Sequence, residues 1–92
     1  MPKYYSFRIA DHYLYFTSFC IVEAMHVHAG DKEMTEATSA KFFVYEDGTT
    51  KLEKRGDLKD FQIAVIQKFI KENYVDMYKK WKEFGGKDFY RS

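Results

Sequence analysis

The hydrophobic pattern of this chain changes period once, near residue 56, and that change limits the folds open to it. Before it, apolar and polar residues alternate in short runs, the period-two signature of strands; after it, apolar residues recur every three or four positions, the signature of helix. Tyr5, Phe7 and Ile9 alternate with Ser6 and Arg8, and Ala10-Asp11-His12 reads as a hairpin turn into a second run, Tyr13 to Ser18. Cys20-Ile21-Val22 reads as an extension of that run, and Met25 to Ala29 as a third strand. Gly30 to Ser39 is a polar loop. Ala40 to Tyr45 and Thr49 to Glu53 form a further pair around the turn Glu46-Asp47-Gly48.

From Asp57 the pattern is helical. Asp57 is the expected N-cap, with Asp60 in the first turn. Leu58, Phe61, Val65, Ile66, Phe69 and Ile70 mark one broad apolar face. Asn73 reads as a break, followed by a second helix carrying Met77, Tyr78, Trp81 and Phe84 and stopped by Gly85-Gly86. The expected fold is therefore α+β: an antiparallel sheet of about five strands packed by two C-terminal helices. A chain of 92 residues supports one domain, expected over 1–86, with 87–92 as a frayed tail.

Composition narrows the function classes. Charged residues make up 32%, and no apolar run approaches the ~18 residues that span a bilayer, so no membrane role is expected. The net charge of +1 lacks the basic excess of a duplex-DNA binder. A lone cysteine, Cys20, flanked by Phe19 and Ile21, reads as a buried small hydrophobe and fits the cytoplasm. The first residues, Met1 to Tyr5, contain no apolar leader segment. There is no glycine-rich phosphate loop, nucleophile elbow or Cys-x-x-Cys pair.

The candidate site is His26-Val27-His28, with Glu23 upstream. On a strand the two imidazoles project from one face, about 7 Å apart along it. Three roles compete. They can be ligands of a divalent transition metal, with His12 or Glu23 as the third. One can be a general acid or base, with Lys51, Lys54 and Arg55 holding the phosphate of an RNA. Or both can be structural. The Lys51–Arg55 run has its own plainer reading, an edge strand charged against aggregation. The aromatic runs Tyr13–Phe16 and Phe42–Tyr45 are base-stacking platforms in one reading and core in the other.

Glu23-Ala24-Met25-His26-Val27-His28-Ala29 resembles the Glu-Pro-Pro-His-x-His motif of the domain of unknown function 4160 family. Ala40-Lys41-Phe42, Gly56, the helix from Leu58 to Asn73, and Trp81 with Phe84 extend the resemblance over Tyr5 to Gly85. Ala24 and Met25 stand where the family has prolines, and the loop from Gly30 to Ser39 is longer. The family has no established activity. The resemblance implies a bacterial, cytoplasmic protein in a gene arrangement like a toxin–antitoxin module, with a protein partner encoded nearby. It also gives weight to His26 and His28. Three functions stay open: a protein-interaction domain, a metal- or His-dependent RNase-like enzyme, and a non-catalytic nucleic-acid-binding module.

Overall fold

A computed structural model describes residues 3–17, 20–31 and 38–91, with Cys20 described in its backbone alone. The fold is α+β, with four strands and one helix: β1 (Tyr13–Tyr15), β2 (His26–Gly30), β3 (Ala40–Val44), β4 (Thr50–Lys54) and α1 (Asp60–Glu83). The strands form one antiparallel sheet in the order β1-β2-β3-β4. Val27 opposite Phe42, and Leu14 opposite Ala29, place the alternate apolar residues on the helix side. There they join Ile66, Ile70, Met77 and Trp81 in the core. Among the described residues no helix is long and apolar enough to cross a membrane.

The expected first strand is absent. Tyr5–Ile9 meets the rest of the chain through isolated bridges at its flanks, Lys3 with Tyr15 and Ile9 with His12. Neighbouring residues are both engaged: Tyr4 is buried and donates its hydroxyl to His26 O (2.9 Å), while Tyr5 and Phe7 both turn to Phe69 on α1. A regular strand would send Tyr4 and Tyr5 to opposite faces of a sheet. Here the helix captures Tyr5 and Phe7, so the chain leaves the ladder. Cys20–Val22 is a 3-10 turn, not an extension of β1. The expected loop falls largely on 32–37, outside the described residues, and so does the burial expected of Cys20.

Two helices become one of 24 residues. Asn73 does not break it, because its amide donates to Phe69 O four residues back (2.9 Å) and is satisfied inside the helix. The N-cap is Lys59, not Asp57; Gln62 Oε1 accepts the Lys59 N–H (2.9 Å). The buried face is also narrower than expected. Phe61 lies nine residues before Ile70, about two and a half turns, which sets it on the opposite side of the cylinder. Phe61 and Val65 are exposed, while Ile63, Ile66, Ile70, Met77 and Trp81 are buried.

Two glycine sites hold the ends together. Gly56, at φ +60°, packs so closely on the β3 approach that a Cβ would sit 2.6 Å from Ala40 N. Gly86 lies on the Trp81 indole, where a Cβ would collide with the ring. Residues 87–90 are tied to the fold by hydrogen bonds and ring contacts. Lys87 O accepts from Trp81 Nε1 (2.6 Å), Asp88 O from Met25 N (3.0 Å), and Tyr90 N donates to Val44 O (2.8 Å). Phe89 stacks on Tyr78 and Tyr90 on Phe43. The tail thus closes the end of the sheet at which β2 begins.

Candidate functional site

His26 and His28, two residues apart on β2, share the sheet face away from the main core. Their ring centroids are 5.1 Å apart, edge to face. Register supplies their neighbours. Tyr15 and Lys41 flank His28, and Lys54 lies opposite Lys41, so one row across the sheet reads Tyr15–His28–Lys41–Lys54. Phe43 is opposite His26, and Lys51 opposite Phe43, in the next row. Tyr15 stacks on His28 with centroids 5.3 Å apart.

Glu23 completes the group. Its Oε2 accepts from Lys41 Nζ at 2.8 Å and lies 3.9 Å from His26 Nδ1. The Lys41 hydrogen bond holds the Glu23 carboxyl below its ordinary value, against a smaller opposing effect of burial. Lys41 and Lys54 would otherwise be like charges set directly opposite, an unfavourable cross-strand pair; the Glu23 carboxylate offsets this. So a carboxylate, two imidazoles and an ammonium gather on one side of the sheet.

The two rings differ in access. His26 is fully buried, with Trp81 and Phe43 against it at centroid distances of 5.5 and 5.7 Å. Its Nδ1 lies 2.9 Å from Ala24 O. A carbonyl only accepts, so Nδ1 carries the proton and Nε2 is the bare nitrogen. That Nε2 is buried and makes no hydrogen bond among the described residues. Burial pushes the His26 pKa down to about 4, with the Ala24 hydrogen bond opposing. His26 is therefore neutral at pH 7. His28 is nearly as deep, with its own Nδ1 shut off from water.

The remaining candidates are divided. His12 lies beyond the other end of β2, since Tyr13 pairs with Gly30; its Nε2 is 3.4 Å from Asp57. Arg55 is drawn to the start of α1 by Asp60, at 2.6 Å. Lys51 bridges to Glu53 at 3.6 Å and reaches Tyr90 Oη at 3.4 Å. Glu23 approaches His26 on its Nδ1 side, where Ala24 O already holds the proton, and His12 is at the far end of the strand. Among the described residues no three His, Cys, Asp or Glu side chains are placed to share a metal ion.

Sequence reasoning missed Lys41 as a member of the row, and read Tyr15 only as part of the aromatic run Tyr13–Phe16. The signal for Lys41 lay in the register of β2 and β3: pairing Val27 with Phe42 on the apolar face sets His28 opposite Lys41.

A family profile described as "Domain of unknown function (DUF4160)" matches residues 12–82, which include the whole candidate row. No curated protein and no solved structure matches the chain.

Proposed function

The chain belongs to the domain of unknown function 4160 family, and from that premise we propose that it is a protein-interaction domain, one component of a toxin–antitoxin-type pair acting in the bacterial cytoplasm. One observation carries the reading: the outward face of α1 carries large apolar side chains that stand exposed. Phe61 is 65% exposed and Val65 46%. The line continues through Phe69 to Phe7, itself 52% exposed, whose ring centroid is 6.1 Å from that of Phe69. Large apolar side chains at i, i+4 and i+8 on a helix form a stripe, and contiguous apolar surface of this kind marks interaction sites.

The test is co-expression with the product of the adjoining open reading frame in the native genome, followed by calorimetric titration of the purified pair. Binding is expected, weakened about tenfold or more by Phe61→Ala, since buried aromatics dominate interface energetics. A partner that binds Phe61→Ala and Val65→Ala as tightly as wild type removes α1 from the interface. No binding at all removes the reading.

One observation favours a second reading, a His-dependent ribonuclease: the gathering of Glu23, His26, His28 and Lys41 beside Lys54. Two features weigh against it. The bare nitrogen of His26 is enclosed, and the Glu23 carboxylate is already paired with Lys41. Cleavage of single-stranded RNA by wild type, lost in a folded His28→Ala variant, would establish it; no cleavage by wild type ends it.

A further inference from the structure

The two edges of the sheet are finished differently. The outer side of β1 is covered: Lys3 bridges to Tyr15, and Tyr4 N donates to Leu14 O at 2.8 Å. At β4, the other edge, no described residue makes a bridge or main-chain hydrogen bond to the outer side. Nor does α1 close it. A groove of about 390 Å³, lined by Thr49, Thr50, Gln67, Lys68 and Lys71, separates the helix from the start of β4. An open strand edge is a template for another strand.

The sequence of that edge, Thr50-Lys51-Leu52-Glu53-Lys54, says which strand fits. We infer that β4 pairs antiparallel with β4 of a second copy of this chain, joining two four-stranded sheets into one continuous sheet about a twofold axis. A twofold perpendicular to the sheet keeps matching faces on the same side, so the register must be centred on one residue facing itself. Centred on Lys51, the contact sets lysine against lysine. Centred on Glu53, it sets glutamate against glutamate and Lys51 against Arg55. Centred on Leu52, it sets Leu52 against Leu52 and Lys51 against Glu53 of the second copy, twice, the irregularity at Glu53 ending the regular ladder beyond them.

Among these registers, the one centred on Leu52 alone is charge-complementary, and opposite charges set directly across a strand pair are stabilising. The side chains are accessible for the exchange. Lys51 and Glu53 are 48% and 45% exposed and lie 3.6 Å apart within one chain, so pairing converts two isolated pairs into an alternating group of four charges. The β3–β4 register also skips Glu53, leaving it with no opposite residue within its own sheet. The lysines that guard this edge against indiscriminate pairing thus admit one symmetric register. This contact is separate from the α1 surface proposed for the protein partner.

The experiment is light-scattering mass measurement across a concentration series. Wild type is expected to move from 11.0 kDa to twice that mass as concentration rises. Lys51→Glu and Glu53→Lys each set like charges opposite at both symmetry-related contacts, and each is expected to weaken dimerisation about tenfold or more. An equimolar mixture of the two variants is expected to dimerise again, because each reversed charge then meets its complement. The double variant behaves likewise, and Phe61→Ala leaves the self-association unchanged. Amide exchange gives an independent reading: the outward-facing main-chain amides of β4 slow at high concentration and not at low. A protein that stays at 11.0 kDa at every concentration up to its solubility limit overturns the inference. So does a dimer indifferent to both charge reversals.

Discussion

His12 and His26 are two buried histidines built on one local plan. Each ring sets Nδ1 against the carbonyl two residues earlier, His12 at 2.6 Å from Ala10 O and His26 at 2.9 Å from Ala24 O. In both, the backbone fixes the tautomer and leaves Nε2 to the surroundings. The surroundings then diverge. Nε2 of His12 faces the exposed carboxylate of Asp57 at 3.4 Å, at the end of the sheet where α1 begins. Nε2 of His26 is shut in at the opposite end, where Trp81 and the C-terminal tail close over β2. An identical local hydrogen bond therefore gives two unlike groups. Their chemistry is decided by the residues that tertiary packing brings to the second nitrogen.

The strongest way to break this contrast is to open the closed end. Trp81→Ala removes the largest fully buried side chain and is expected to cost about 3–5 kcal/mol in urea unfolding. Water then reaches His26, and its pKa, followed through the ring protons by NMR, rises from about 4 toward 6.5. If His26 stays near 4 in a folded Trp81→Ala protein, the indole is not what excludes water from the ring.

The next effect is acid sensitivity. Folding lowers the His26 pKa from 6.5 to about 4, so between those values the unfolded chain binds a proton that the folded chain refuses. The contribution of neutral His26 is complete above pH 6.5 and is lost as pH falls toward 4, in total about 3 kcal/mol. Glu23, also lowered, acts in the same direction, but only below its ordinary value of 4.5. Urea midpoints at pH 7 and pH 5 should therefore separate clearly for wild type and much less for His26→Leu. Equal separation in both proteins would trace the acid sensitivity to another group.

These properties show where sequence reading succeeds and where it stops. The i, i+2 spacing of His26 and His28 is enough to put both rings on one face, because strand geometry is local. Their depth is not local. It depends on Trp81, on the tail that holds it, and on Phe43, and no pattern within β2 carries that. The four observed strands and the helical half were legible from period, strand-favouring residues and turn signals together. The continuity of α1 was not, because Asn73 reads as a breaker until its amide is seen bonded to Phe69 O. The apolar face of α1 was read too widely for a related reason. Hydrophobicity marks Phe61 as core, but its angle around the helix points it away from the sheet. That mismatch between composition and position motivates the interaction reading.

At the open end the expected effects are small. Asp57→Asn removes the charge facing His12 Nε2 while leaving Ala10 O in place. Asp57 is exposed, so the change should stay within about 1 kcal/mol at low salt, and any part of it that comes from charge should vanish at high salt. A salt-independent loss would mean that Asp57 supports the approach to α1 and not the imidazole.

The smallest effect is a gain, and it lies in the turn that presents His12. Ile9 and His12 exchange both main-chain hydrogen bonds, at 2.8 and 2.9 Å, across Ala10 and Asp11, whose φ values are +50° and +64°. Positive φ at both central residues is the type I′ hairpin turn, which matches strand twist but suits glycine and asparagine better than alanine. Ala10→Gly relieves about 1–2 kcal/mol of left-handed strain. It also frees the unfolded chain, which returns roughly 0.5–1 kcal/mol of that. The net expectation is a stabilisation of about 0.5 kcal/mol, seen as a higher urea midpoint. The His26 titration at the other end should not move, since Ala10 O still accepts from His12 and nothing near Trp81 changes. A shift at His26 would show that the two ends are coupled through β2, and the contrast between the two histidines would then belong to one cooperative unit.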